Sequence, residues 1–131
     1  MNINNFVKIL KALGEPTRLK ILKLLSIRPM YVCELESVLQ MSQPRISQHL
    51  RTMKEAGLVT EKKEAQRIFY SLQIDYIDEN FNNLIKFFHT QLDELPEFKE
   101  ESLRLKQLES DMDISLCKEG KTQVISLKQE A

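Results

Sequence analysis

Between Met41 and Gly57 the chain sets out Gln43, Arg45, Ser47, Gln48, His49, Arg51 and Lys54, with no acid among them before Glu55. Amides, hydroxyls and long cationic side chains of this kind suit base edges and phosphate oxygens. The plainer alternative is a solvated helix face. Either reading needs a helix, and the spacing predicts one. Ile46, Leu50 and Met53 recur at i, i+4 and i+7 as one narrow apolar stripe, so the helix packs on one side and leaves the polar set free. Ser42 is counted with that set and is expected to cap the helix by accepting from an unpaired backbone N–H. Pro44 falls in the first turn, where a missing N–H is harmless, and Gly57 supplies a left-handed end.

The flanking elements follow from periodicity. Ile3, Phe6, Val7, Leu10 and Leu13 predict a first helix ended by Gly14. Pro16 opens a second, largely buried helix carrying Leu19, Ile21, Leu22, Leu24 and Leu25, limited by Pro29. Val32, Leu35, Val38 and Leu39 predict a short third helix, and Gln40-Met41 the turn into the fourth, which is helix-turn-helix spacing. After Gly57 the pattern changes. Leu58 to Thr60 and Ile68 to Leu72 are β-branched or aromatic runs flanking the charged segment Glu61 to Arg67. They predict a β-hairpin wing whose tip presents Lys62, Lys63 and Arg67 to a backbone phosphate or minor groove. From Asp75 a long helix puts Ile77, Phe81, Leu84, Ile85, Phe88 and Leu92 on one face. This helix and the first hold more apolar surface than a small winged helix can cover, which predicts a two-fold homodimer through both. Beyond Pro96, Phe98, Leu105, Leu108 and Met112 predict an acid-rich sixth helix, and Val124 to Leu127 a short strand. The expected fold is mainly α with a β-hairpin wing, a winged helix-turn-helix. Residues 1–92 are its DNA-binding and dimerisation domain and residues 93–131 a helical extension and tail.

Composition narrows the function. With 131 residues, 42% of them hydrophobic, the chain is expected to build one real core. No apolar run approaches the roughly 18 residues of a membrane span. Met1-Asn-Ile-Asn-Asn lacks the basic start of a signal peptide, so the expected location is cytoplasmic, with no membrane partner. Lys+Arg and Asp+Glu both number 19, but the balance is uneven. Residues 1–40 and 41–70 each hold six bases against three acids, and residues 71–131 hold seven against thirteen. The basic side coincides with the polar helix, and a field of that sign concentrates a polyanion. Cys33 and Cys117 are too few for a disulfide framework, which leaves packing, redox sensing or metal binding. An enzyme is disfavoured: Cys33 and His49 fall on different elements, no acid/base cluster is apparent, and three glycines leave little for a phosphate loop. A winged module that binds only protein would leave the basic, amide-rich face unexplained.

Four blocks carry a resemblance: Ala12-Leu-Gly-Glu-Pro-Thr-Arg-Leu-Lys-Ile-Leu22, Ser42-Gln-Pro-Arg-Ile-Ser-Gln-His-Leu50, Glu55-Ala-Gly-Leu-Val59 and Arg67-Ile-Phe-Tyr70. Over about residues 6 to 92 the chain resembles the ArsR/SmtB family. The resemblance implies a dimeric winged-helix repressor that needs no cofactor to bind an inverted-repeat operator in double-stranded DNA. It also implies release when a metal, arsenite or redox signal is sensed. The family's sensing sites match poorly. Arsenite sensors typically carry Cys-Val-Cys where this chain has Tyr31-Val32-Cys33, and a third family cysteine falls at Glu36. His89 with Asp78 upstream does not complete the zinc-type pattern on the fifth helix. A sensor would therefore need Cys33 together with Cys117, holding arsenite or another thiophilic ion as inducer. The alternatives are a disulfide or polysulfide bridge between the same thiols, or a regulator with no metal site in which Cys33 is a small buried hydrophobe.

Overall fold

The computed structural model describes residues 2–111, so Cys117, Met112 and the expected strand at Val124 to Leu127 lie outside the described residues. The chain divides into a unit ending at Phe88 and a second beginning at His89. The first unit runs α1 (Ile3–Leu13), α2 (Pro16–Leu25), β1 (Met30–Tyr31), α3 (Val32–Leu39), α4 (Gln43–Glu55), β2 (Val59–Glu64), β3 (Arg67–Leu72) and all but the last residue of α5 (Ile74–His89). The second holds single 3-10 turns at Leu92–Glu94 and Pro96–Phe98, then α6 (Lys99–Ser110). Leu92, expected on the α5 face, belongs to the first of those turns, because the helix stops at His89.

Each apolar stripe closes on the others. Phe6, Ile9 and Ala12 of α1, Ile21, Leu22 and Leu25 of α2, Leu35 of α3, and Ile46, Leu50 and Met53 of α4 form one core with Met30, Leu58, Val59 and Tyr70. Burying a side chain such as Ile46 or Leu50 contributes about 2 kcal/mol. Phe6 meets Phe81 of α5 edge-on, ring centroids 5.5 Å apart, and Asn5 Nδ2 donates to Tyr76 Oη at 3.2 Å.

The wing differs from expectation. β2 and β3 pair antiparallel from Val59↔Leu72 to Glu64↔Arg67, so the strands run through the charged segment and only Ala65 and Gln66 form the turn. Lys62 and Lys63 therefore lie within β2 opposite Phe69 and Ile68, not at the tip. An edge strand tolerates such charges, since only one of its sides needs a partner strand. The two-residue strand β1 is an addition to the expected elements. It pairs Met30↔Tyr70 and Tyr31↔Phe69, giving the sheet order β1-β3-β2 and fastening the wing to the start of α3.

Helix ends decide where α4 lies. Gln40 enters the turn before it in a left-handed conformation, φ 54°. Ser42 occupies the N-cap position but makes no side-chain capping bond. Pro44 at the second helical position has removed one of the two N–H donors that such a cap uses. At the far end Leu58 N–H donates to Met53 O at 2.9 Å and Gly57 N–H to Lys54 O at 3.0 Å, the paired bonds of a Schellman motif, with Gly57 at φ 81°. Gly14 also ends its helix, but at φ −79°.

A methyl group at Gly57 would stand 2.8 Å from the Tyr76 ring as well as forcing a left-handed alanine. Gly57→Ala is expected to lower unfolding stability by about 1–2 kcal/mol from the backbone alone, and further from the displaced ring. Gly14→Ala, at negative φ, is expected to be milder. Urea midpoints of the two variants check this, and equal losses would contradict it.

Candidate nucleic-acid interface

At 3.6 residues per turn, the side of α4 opposite the buried stripe carries Ser47, Gln48 and Arg51, with Gln43 and Lys54 on one border and Arg45 and His49 on the other. Gln43, Arg45, Gln48 and Arg51 are exposed, and Ser47 is half-buried. Gln43 Nε2 donates to Ser47 Oγ at 3.1 Å, so the amide is held along the helix rather than wandering. Among the described residues neither Arg45 nor Arg51 is engaged in an ion pair.

Three expected contact residues are engaged inside the protein. His49 has a side chain 17% exposed, and its Nδ1 lies 3.4 Å from Arg18 Nη1 and 3.9 Å from Glu15 Oε2. Lys54 Nζ sits 2.5 Å from Glu61 Oε1, while Glu61 Oε2 accepts from Tyr70 Oη at 2.9 Å. Those two bonds, Lys54 first, hold the Glu61 carboxyl below its usual range, and burial together with Glu61 pushes the Tyr70 hydroxyl up to about 12. Arg67 folds back from the end of the wing. Its guanidinium carbon is 3.9 Å above the Tyr31 ring and its Nη2 is 3.5 Å from Cys33 Sγ. A stacked arginine of this kind is fixed by cation–π attraction. Lys62 and Lys63 are exposed but adjacent on a strand, so they face opposite sides of the wing.

Cys33 is exposed rather than a packed core residue. A shallow cleft of about 330 Å³, lined by Arg28, Met30, Cys33, Glu34, Ser37 and Val38, adjoins it. Among the described residues no three His, Cys, Asp or Glu side chains gather into a metal-holding group. Among the described residues Asp78 and His89 belong to no such group, and the thiol expected to pair with Cys33 lies outside them.

The pattern passed over residues that organise this surface. Glu15 at the N-cap of α2 accepts from Arg18 N–H at 3.0 Å. Glu34 takes Arg28 on both oxygens, at 2.6 and 3.3 Å, and accepts from Tyr31 N–H at 3.0 Å. The Arg28 hydrogen bond, then the backbone bond, lower its carboxyl to about 2. The acid three residues into α3 was a legible signal for that capping arrangement.

A buried stripe, a clamped turn on either side and a polar outer face followed by a wing make a winged helix-turn-helix, and comparison with known proteins assigns it. The family described as bacterial regulatory protein, arsR family, matches residues 15–61. The arsenical resistance operon repressor of Staphylococcus xylosus is 36% identical over 85 residues, covering 63% of this chain and 82% of that protein. The chain belongs to the arsR family. Its members are DNA-binding regulators of transcription, not enzymes. The structure of HlyU from Vibrio cholerae N16961 superposes with a TM-score of 0.55 at 36% identity, covering 69% of this chain and all 100% of that one. An ArsR-like regulator from Rhodococcus sp. RHA1 shares the fold, with a TM-score of 0.62 at 22% identity over 80% of this chain and 92% of that one. Among the described residues no helix is long and apolar enough to cross a membrane.

Because Glu34 is held near 2, the Arg28–Glu34–Tyr31 lock contributes stability that is present above the ordinary carboxylate range and lost as pH falls through that lowered value. Glu34→Gln is therefore expected to be less stable than the parent at about pH 7, with the difference shrinking below about pH 4. Denaturation midpoints of both proteins across that range check the sign, and a difference that grew on acidification would reverse it.

Proposed function

We propose that this arsR-family regulator is a homodimeric, sequence-specific repressor that reads an inverted-repeat operator with two copies of α4. The observation that carries the reading is the exposed set Gln43, Arg45, Gln48 and Arg51 on a helix whose opposite side, Ile46, Leu50 and Met53, is wholly buried. Ser42 and Ser47 supply hydroxyls beside them, and Lys62 and Lys63 reach phosphates from the wing. His49, Lys54 and Arg67 serve by holding the reading surface in shape. A second stripe on α1, Ile3, Val7 and Leu10 at i, i+4 and i+7, stays 36–44% exposed, and Phe88 of α5 is 75% exposed. Apolar surface of that kind supports a second copy of the chain as its cover. Two-fold symmetry then sets half-sites about one helical turn apart or a multiple of it.

Release is proposed to start at Cys33. A thiophilic inducer such as arsenite requires a second thiol, from Cys117 or a partner copy, whereas oxidation or polysulfide chemistry begins at one accessible sulfur. The exposure of Cys33 and the cleft beside it favour keeping the second reading alongside the first. In both, the sulfur's contact with Arg67 at 3.5 Å carries the change straight to the wing.

A duplex selected by the protein from a randomised library serves as operator for the tests. Gln43→Ala and Gln48→Ala are expected to relax base preference. Lys62→Ala and Lys63→Ala are expected to weaken selected and random DNA alike, each flattening the salt slope by about one unit for the phosphate it no longer meets. Equal losses on both duplexes for all four would overturn that division. Cys33→Ser is expected to bind the selected duplex like the parent and to stay bound when arsenite or polysulfide is added. Cys117→Ser is expected to show the same loss if the tail thiol is the partner of Cys33, and to be silent if Cys33 acts with an external thiol; parallel titrations with arsenite and polysulfide separate the two chemistries.

A further inference from the structure

We propose that Arg18 is a positioning residue for operator binding, which ties the reading helix α4 to the end of α1 through His49. It sits in the first turn of α2, half-buried, and one planar guanidinium serves two helices at once. Nε donates to Ala12 O at 2.6 Å and Nη2 to Lys11 O at 3.3 Å, two carbonyls at the C-terminal end of α1, the second of which also accepts from Gly14 N–H at 3.3 Å. Nη1 lies 3.4 Å from His49 Nδ1 on α4. The backbone N–H of Arg18 is in turn held by Glu15 Oε2, and that same oxygen stands 3.9 Å from the His49 ring. Arginine alone can make this arrangement, because its donors are fixed in one plane, whereas a lysine ammonium presents a point charge.

The contact matters because of where His49 falls. Apolar burial of Ile46, Leu50 and Met53 sets how deep α4 sits, but dispersion and hydrophobic contact are non-directional and resist rolling about the helix axis poorly. At 3.6 residues per turn, His49 lies on one flank of that stripe and Lys54 on the other. Arg18–His49 and Lys54–Glu61 are therefore opposed ties that fix the roll, and with it the direction in which Gln43 and Gln48 point. The tie on the His49 side runs to α1, whose uncovered stripe is the proposed dimer surface, so the roll of α4 and the seating of the second copy share one guanidinium. This proposal rests on the reading of α4 as the DNA-contacting helix.

The test uses the full chain, the duplex it selects from a randomised library, and a random duplex of equal length. Arg18→Lys and His49→Leu are each expected to lose about tenfold in affinity for the selected duplex, the scale of one hydrogen bond to a charged group. Affinity for random DNA and the salt slope are expected to stay at the parent's values. The double variant is expected to bind no worse than the weaker single, because both changes break the same interaction. His49→Asn, whose amide oxygen can accept where Nδ1 does, is expected to recover most of the loss. His49→Leu leaves the bonds to Ala12 and Lys11 intact, so it reports on α4 even if Arg18→Lys unfolds. Losses that multiply in the double variant overturn the proposal. So does a salt slope flatter by about one unit in Arg18→Gln, which removes the charge and would make Arg18 a phosphate contact. A parent that enriches no sequence overturns the DNA reading itself.

Discussion

A helix that must present its outer face to another molecule can be held by its own protein on the inner face only. In α4 that inner face is three side chains, Ile46, Leu50 and Met53, each with no exposed surface. Everything around them compensates for how little three apolar side chains specify. They set depth and location but not roll or reach, since apolar contact has no preferred direction. Reach is set at the ends, where Gln40 turns left-handed before the helix and the Schellman bonds of Gly57 and Leu58 close it behind. Roll falls to polar contacts at the borders of the stripe, which are directional and short. The arrangement leaves the outward residues with no structural duty, and a recognition surface needs that freedom.

What is legible in the sequence follows the same division between local and distant causes. The α4 stripe, the left-handed Gly57 and the Pro16 start of α2 each arise from residues within one or two turns, so periodicity and residue chemistry disclose them. β1 has only two residues and no alternation of its own, and it exists because Tyr70 and Phe69, some forty positions later, offer it a ladder. The course of β2 through Glu61, Lys62, Lys63 and Glu64 is hidden for a related reason. Charged residues read as turn when judged by propensity, yet strand propensity chiefly measures fit to neighbours. Ser42 has the type and place of a cap, while the proline two residues on has already altered the donors available.

The charged side chains show a sharper limit. Arg45 and Arg51 of α4 extend outward as their pattern implies, but His49, Lys54 and Arg67 turn inward to Arg18, Glu61 and the Tyr31 ring. Nothing in a single sequence separates a basic residue that meets phosphate from one that meets a carboxylate or aromatic ring brought alongside by the fold. The spacing of partners makes the point: Arg18 and His49 are 31 positions apart, and Arg67 and Cys33 are 34.

If α4 and the wing meet DNA as proposed, the inward-turned charges account for how so small a basic excess can serve them. A cation held over an aromatic ring keeps its long-range field, because the ring does not cancel it, while losing the rotamer freedom that binding would otherwise have to remove. Arg67 over Tyr31 is of this kind, whereas Arg18 has the Glu15 carboxylate beside it. Lys54 differs, since Glu61 neutralises it locally, and its role is correspondingly mechanical. The protein therefore separates field from contact. On the proposed reading, Arg67 contributes potential and shape, and the exposed Arg45 and Arg51 together with Lys62 and Lys63 are left to meet individual phosphates. A contact surface built this way loses specificity first when a tie is cut, because the field survives while the geometry that discriminates one base sequence from another does not.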